Sequence, residues 1–168
     1  MKQNRVFARQ FKIAGLVVAL CAFAWAGYNF VGSAPEGAPI KGHGGEQPAY
    51  PWLSDFKAGL KQAEQESKPI VIDAWAPWCS SCKVLWKKTF MNEKIQDQLQ
   101  GFVRIKLNMD EEKNQAYWED FGIKGLPWVG FLTAEGVELK EYTLNDYEDP
   151  EPFMERLKSV MAALAEKR

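Results

Sequence analysis

The chain has 168 residues, of which 46% are hydrophobic, 13% aromatic and 26% charged, a composition typical of a folded globular protein. The formal net charge of −1 gives no electrostatic basis for nucleic-acid binding, and three cysteines are too few for a scaffold held by disulfides. A single histidine leaves little material for metal binding or for histidine-based acid–base catalysis.

The N-terminal region, residues 1–31, has the pattern of a membrane anchor. Residues 1–12 hold four basic side chains and no acid, and the nineteen residues of 13–31 carry no charge. As a helix, that apolar run would span about 29 Å, close to the hydrocarbon thickness of a bilayer. Because basic flanks stay in the cytoplasm, we expect an inner-membrane protein whose remaining chain lies in the periplasm. An A-x-A sequence ending at Ala26 leaves open cleavage there, which would release a soluble periplasmic protein.

Residues 32–50 are predicted to be a flexible linker. Five glycines and three prolines occur among these nineteen residues, so the segment cannot bury enough apolar surface to offset its ordering entropy. His43 lies among the glycines and is expected to be solvated. Residues 51–168 then form one domain.

Helical and strand patterns alternate along this domain. Ser54 is predicted to cap an amphipathic helix over 55–67. The elements predicted after it are a buried strand over 70–75, a helix over 79–88, a helix over 93–99 capped by Asn92, a strand over 102–107, a helix over 111–121, strands over 128–132 and 139–144, and a helix over 151–165. This order predicts an α/β fold in which helices flank a central mixed sheet.

The chemistry-bearing motif is Cys-Ser-Ser-Cys, with Cys79 and Cys82 placed where a predicted helix follows a predicted strand. Unpaired N–H groups and the macrodipole at a helix N-terminus favour a thiolate, and the second cysteine lies one turn along. The pair could therefore cycle between dithiol and disulfide.

Three plainer interpretations of the pair are weaker. A zinc site would need two more ligands, for which only Cys21 and His43 remain. A structural disulfide would close a very small loop, and inert core thiols would not suit the polar dipeptide between them. We therefore expect no metal and no cofactor beyond a redox-active disulfide.

The segment DAWAPWCSSCK at 73–83 resembles the active-site segment of the thioredoxin superfamily. The resemblance continues at KLNMD, 106–110, and at FGIKGLPWVGFLTAEG, 121–136, in the same order. Within the superfamily, KKTFMNEKIQDQL and GLP are similar to the C-terminal periplasmic domain of the transmembrane thiol reductase DsbD. The resemblance covers residues 54–165 and implies a thioredoxin fold.

The resemblance also implies roles for four buried or reactive groups. Cys79 would be the attacking thiolate and Cys82 the resolving thiol. Asp73 matches a buried carboxylate that exchanges a proton with the second cysteine, and Lys106 matches the lysine that partners it. For Asp73 and Lys106 the alternative is an ion pair that serves only the fold.

Around the pair, the resemblance implies a substrate-binding surface. Leu126-Pro127 matches a cis-proline loop that faces the cysteines and pairs with substrate backbone. Trp78 matches an aromatic position that shields Cys79. Trp128 follows the proline, where reducing members often have threonine, so we expect its indole to border the substrate groove.

Taken together, the sequence predicts a membrane-tethered periplasmic thiol:disulfide oxidoreductase that works as a reductant. It would accept electrons from an integral-membrane donor of the DsbD or CcdA type and pass them to disulfides of periplasmic proteins. One alternative is reduction of the haem-binding cysteines of apocytochromes c. Another is a non-catalytic adaptor that uses the thioredoxin fold for docking. Nucleic acid is not an expected partner.

Overall fold

The structure, a computed structural model, describes residues 48–166. The predicted membrane segment 13–31, the cleavage point at Ala26, Cys21 and the linker residues up to 47, including His43, lie outside the described residues. Among the helices formed within 48–166, none combines the length and the apolar character needed to cross a bilayer. The division of the chain into 1–31, 32–50 and 51–168 stays a prediction.

A three-stranded mixed sheet forms the centre of the domain. Its strands are β1, Ile70–Trp75, β2, Val103–Asn108, and β3, Trp128–Leu132. The spatial order is β2-β1-β3, with β1 parallel to β2 and antiparallel to β3. The predicted α/β class and mixed sheet are confirmed, and β1 and β3 have the predicted bounds.

Within residues 48–166, five α-helices and three shorter helical turns surround the sheet. The α-helices are α1, Phe56–Glu66, α2, Ser80–Leu85, α3, Glu93–Leu99, α4, Tyr117–Asp120, and α5, Pro150–Glu166. The shorter turns are a π-helical turn, Trp86–Phe90, and two 3-10 turns, Glu112–Asn114 and Lys140–Tyr142. The π-helical turn continues α2, so the predicted helix over 79–88 is present but changes its hydrogen-bonding pattern halfway.

Two helix starts show how local side chains set the element bounds. The predicted cap Ser54 is wrong by one residue, because Oδ1 of Asp55 accepts the N–H of Ala58 at 2.8 Å and so caps α1. Asn92 caps α3 as predicted, since its Oδ1 accepts the N–H groups of Lys94 and Ile95. A short polar acceptor satisfies N–H groups that the first helical turn leaves unpaired.

The predicted strand over 139–144 is wrong. Only isolated bridges form there, between Leu144 and Val129 and between Glu138 and Leu132. Between them the backbone makes a 3-10 turn, and the carbonyl of Tyr142 accepts a hydrogen bond from Nη1 of Arg156 at 3.0 Å. The two ends of the segment still pair with β3, since the N–H of Leu139 donates to the carbonyl of Phe131 at 2.8 Å and Leu144 and Val129 exchange N–H···O bonds. The 3-10 turn interrupts the pairing between these points.

The predicted helix over 111–121 is broken into a 3-10 turn and the short α4. Side-chain amides between these pieces bind back to the end of β2. Nδ2 of Asn114 donates to the carbonyl of Asn108 at 2.8 Å, and Nε2 of Gln115 donates to the carbonyl of Met109. These bonds hold the chain against the sheet and interrupt the helical ladder.

Each face of the sheet is covered by its own apolar cluster. Val71 belongs to one cluster together with Trp86, whereas Ile70 and Ile72 belong to the other. Because successive strand residues point to opposite faces, Asp73 shares the face of Val71. An acid on β1 is thereby buried on the side of the sheet where the π-helical turn packs.

Candidate active site

The two cysteines of the Cys-Ser-Ser-Cys motif are joined as a disulfide, with their Cα atoms 5.3 Å apart. Cys79 is the N-cap of α2 and has an extended backbone. Its Sγ accepts the N–H of Cys82 at 3.1 Å, and Oγ of Ser81 lies 3.6 Å away. Since a disulfide sulfur carries no hydrogen, the Ser81 hydroxyl is the donor. Both contacts are of the kind that stabilises negative charge on sulfur.

The disulfide is nearly covered by its neighbours. Cys79 is 4% exposed and Cys82 is 2% exposed, and both pack with Ala76. The partly buried side chains of Trp75 and Leu126 complete this small cluster. A partner must therefore approach closely to reach either sulfur.

The turn that follows β1 delivers Cys79 to this position. β1 ends at Trp75, and the N–H of Cys79 donates to the carbonyl of Ala76 at 3.1 Å. A six-residue apolar strand buried between two neighbours fixes the start of the turn. Cys79, the N-cap of α2, is thus positioned by the end of β1 as well as by the helix.

The Leu126-Pro127 loop meets the cysteine pair. The peptide bond between these two residues is cis, and Pro127 is buried. The Leu126 side chain packs against the cluster that holds Cys79 and Cys82. The sequence-predicted loop therefore contacts the disulfide through Leu126.

Trp78 stands exposed beside the disulfide. It has 65% of its surface in solvent, and its indole N–H donates to Oδ1 of Asp110 at 3.0 Å. Asp110 lies just after β2 and had no predicted role, although it belongs to the quoted KLNMD segment. The hydrogen bond ties the orientation of Trp78 to the end of a different strand.

Trp128 does not border a groove, so that expectation is wrong. Its side chain is 1% exposed and stacks on Phe121, with ring centroids 5.4 Å apart. A Cβ atom added to Gly130 would overlap the indole, which shows that the ring folds back over this glycine. Residues two apart in a strand share a face, and the missing side chain at Gly130 makes room for Trp128 in the core.

Asp73 and Lys106 form a buried ion pair on neighbouring strands of the sheet. They are register partners on β1 and β2, each is 2% exposed, and Nζ of Lys106 donates to Oδ2 of Asp73. Burial raises the pKa of Asp73, and the charge of Lys106 opposes that rise. Burial lowers the pKa of Lys106, opposed by Asp73. Both shifts follow from moving charged groups out of water.

Trp86 is a neighbour of this pair that the sequence analysis did not single out. Nζ of Lys106 lies 3.6 Å from the centroid of a Trp86 ring. The available signal was its spacing, since Trp86 comes one helical turn after Cys82. Within residues 48–166, no group of three or more His, Cys, Asp or Glu side chains is placed to hold a metal ion.

The fold and this cysteine site define a class, and the chain belongs to the thioredoxin-like domain family, which matches residues 56–160. Its relatives include the DsbD thiol:disulfide interchange protein of Pseudoalteromonas atlantica, 26% identical over 157 residues, covering 89% of this chain and 26% of the relative. The protein of the same name from Yersinia enterocolitica is 28% identical over 166 residues, covering 95% of this chain and 27% of that relative. The chain thus spans about a quarter of the length of these curated relatives.

Solved structures show the same fold. The oxidised C-terminal domain of Neisseria meningitidis DsbD has a TM-score of 0.57 and 23% identity, covering 64% of this chain and 97% of that domain. A Thermus thermophilus thioredoxin has a TM-score of 0.57 and 14% identity, and the match covers 63% of this chain and 83% of the thioredoxin. The predicted membership of the thioredoxin superfamily, with similarity to DsbD, is confirmed. The names of the curated relatives agree with the prediction of an oxidoreductase.

Proposed function

We propose that this domain is a periplasmic thiol:disulfide oxidoreductase that acts as a reductant and is tethered to the inner membrane through residues 13–31. The observation that carries the proposal is the position of Cys79. Its Sγ caps α2 and accepts the N–H of Cys82 at 3.1 Å. A thiolate at that position would keep this hydrogen bond after the disulfide is reduced, which favours its formation near neutral pH.

The proposed reaction is a pair of exchanges at sulfur. In the reduced domain, the Cys79 thiolate attacks a substrate disulfide, forms a mixed disulfide and releases one substrate thiolate. Cys82 then loses its proton and attacks the Cys79 sulfur, which releases the second substrate thiolate. Two electrons pass to the substrate, each released thiolate takes up a proton, and the domain is left with the Cys79–Cys82 disulfide.

Asp73 is proposed as the group that receives the proton of Cys82. Support comes from its position on β1, six residues before Cys79, and from its burial. A carboxyl whose pKa is raised by burial holds a proton closer to neutral pH than an exposed aspartate does. Lys106 would limit that rise and keep the carboxyl able to give the proton back.

The cycle requires a donor that reduces the disulfide again. We propose an integral-membrane donor of the DsbD or CcdA type, with disulfides of periplasmic proteins as the acceptors. The support is the similarity to proteins named thiol:disulfide interchange protein and the uncharged run of 13–31. A tether at the membrane would hold the domain at high effective concentration near such a donor.

Covalent trapping in cells tests the proposal. A full-length Cys82→Ala chain retains the attacking cysteine and lacks the resolving one, so mixed disulfides should accumulate on Cys79 and disappear on treatment with dithiothreitol. The matched control is Cys79→Ser with Cys82→Ala; both chains also carry Cys21→Ala, so the control should hold nothing. Equal capture by both chains, or no capture by either, would refute the exchange. Apocytochromes c among the trapped proteins would assign the substrate to cytochrome maturation.

The direction of electron flow is tested by equilibrating the Cys79–Cys82 pair with glutathione buffers. A reductant should have a potential well below about −150 mV, since strong oxidants of this chemistry lie above that value. A potential above it would reverse the proposed direction while leaving the exchange chemistry in place.

A further inference from the structure

The π-helical turn that continues α2 begins with an aromatic residue, Trp86, that contacts the buried pair. Trp86 follows Cys82 by four residues, and the backbone N–H of Trp86 donates to the carbonyl of Cys82. Residues four apart on a helix lie on the same face, one above the other. The Trp86 side chain therefore extends from the segment that carries the resolving cysteine toward the sheet.

On the sheet, the ring of Trp86 meets Lys106. Nζ lies 3.6 Å from the ring centroid, and the next aromatic neighbour of the same nitrogen, Trp75, has its centroid at 5.1 Å. Trp86 is fully buried and Lys106 is 2% exposed. An ammonium group over an indole face is stabilised most where water is excluded, as it is here.

We propose that Trp86 is a positioning residue of the active site, which holds the Lys106 ammonium against Asp73. This inference rests on the proposed function, because the carboxyl that it tunes is the one assigned to the proton of Cys82. Trp86 would act through Lys106 and not on substrate. The function of the ring would be to keep a charged lysine in a buried place where it would otherwise lose its proton.

The groups that face Asp73 and Lys106 determine whether a weaker contact with the Trp86 ring raises or lowers the pKa of Asp73. Burial raises the pKa of Asp73 and lowers that of Lys106, and the charge of each residue opposes the shift of the other. β3 places the apolar Val129 opposite Asp73, and the rings of Trp86 and Trp75 face the ammonium of Lys106. Weakening the ring's hold on the ammonium would favour neutral Lys106. The carboxyl would then lose its counter-charge, and the pKa of Asp73 would rise further.

The test compares two side chains of the same shape and opposite ring charge distribution at position 86. One full-length chain carries Trp86→Phe, and the other carries pentafluorophenylalanine at position 86. The titration midpoint of the Asp73 carboxyl carbon is followed by NMR in the reduced protein. We expect the fluorinated chain to titrate higher by roughly one pH unit, a tenfold change in proton affinity. Equal midpoints, or a lower midpoint in the fluorinated chain, would overturn the inference.

Two controls separate electrostatics from packing. In a Lys106→Met background the same pair of chains should have equal midpoints, because the cation is gone. Trp52 is a matched position: it is 1% exposed and its ring centroid lies 5.3 Å from that of Trp86. Phenylalanine and pentafluorophenylalanine at position 52 should leave the Asp73 midpoint within a few tenths of a pH unit of each other, roughly the size of weak indirect effects. A difference at position 52 as large as that at position 86 would contradict the assignment.

The NMR titration needs no substrate, so it stands apart from the proposed function. Failure of Cys82→Ala to trap partners would refute the function and leave the titration result standing. Equal midpoints at position 86 alongside successful trapping would overturn the inference alone. As an activity readout, the pH midpoint for resolution of a mixed disulfide should move upward with the Asp73 midpoint.

Discussion

Asp73 and Lys106 occupy paired positions on adjacent parallel strands, and their side chains bind each other where both are 2% exposed. Two charges removed from water stabilise each other at a cost in desolvation that their attraction only partly offsets. A buried ion pair between β1 and β2 is therefore expected to contribute little to the stability of the fold.

The contribution of the Asp73–Lys106 pair to the stability of the domain can be tested by removing one partner or both. Asp73→Val should destabilise the domain by about 3–5 kcal/mol, because it leaves Lys106 buried without a counter-charge. Asp73→Val combined with Lys106→Met should recover most of that loss, since neither charge then remains. Urea unfolding of the three chains gives the comparison. A double variant as unstable as Asp73→Val alone would contradict this prediction and show that the pair stabilises the fold directly.

The raised pKa of Asp73 predicts how stability changes with pH. Above the ordinary value of 3.8, the unfolded chain releases this proton while the folded protein still holds it. The folded state then binds more protons than the unfolded state, so the free energy of unfolding falls as the pH rises through this window. Asp73→Asn should lack this contribution, and the difference between the two unfolding profiles measures it. A difference of opposite slope would mean that the pKa of Asp73 is lowered by folding.

Gly130 is predicted to be required by the buried indole of Trp128. Gly130→Ala places a methyl group where the ring lies, so it should cost about 1–3 kcal/mol through overpacking. Trp128→Leu in the Gly130→Ala background should restore part of the loss. Gly125→Ala is the matched control, because nothing lies within 4 Å of a Cβ there. Thermal unfolding decides between these outcomes, and equal losses at positions 125 and 130 would contradict the prediction.

Trp78 is predicted to serve partner binding and not folding. With 65% of its surface exposed, Trp78→Ala should change the free energy of unfolding by no more than about 0.5 kcal/mol. It should nevertheless slow reduction of a protein disulfide, while reduction of a small-molecule disulfide is affected less. Val137→Ala, at a residue that is 62% exposed after β3, controls for loss of a surface apolar group. An unchanged rate with protein substrates would leave Trp78 without a function in docking.

The cysteine pair and the strand that precedes it could be predicted from the sequence because both depend on short-range patterns. The buried run of β1 and the Asn92 cap are properties of a few adjacent residues, and both are as predicted. The predicted strand over 139–144 is wrong because a 3-10 turn, whose Tyr142 carbonyl accepts a hydrogen bond from Arg156 on α5, interrupts its pairing with β3. Trp128 was misplaced for a similar reason, since its direction depends on the space left by Gly130.

The contacts of Trp86 and Asp110 were also outside the reach of sequence patterns. Each arises where the sheet brings separate segments together: Lys106 against Trp86, and Trp78 against Asp110. Such side-chain partners depend on register and on the way the helices pack. The cysteine pair, Asp73 and Lys106 could thus be named from the sequence, whereas their neighbours Trp86 and Asp110 required the structure.

The most direct test of the central claim is the pH dependence of Cys79 alkylation in the reduced full-length chain, with Cys21→Ala and Cys82→Ala removing the other thiols. A thiolate held by the N–H groups at the start of α2 should be alkylated with a titration midpoint clearly below the value of about 8.5 for free cysteine. A midpoint at or above that value would contradict the account of Cys79 as the attacking sulfur.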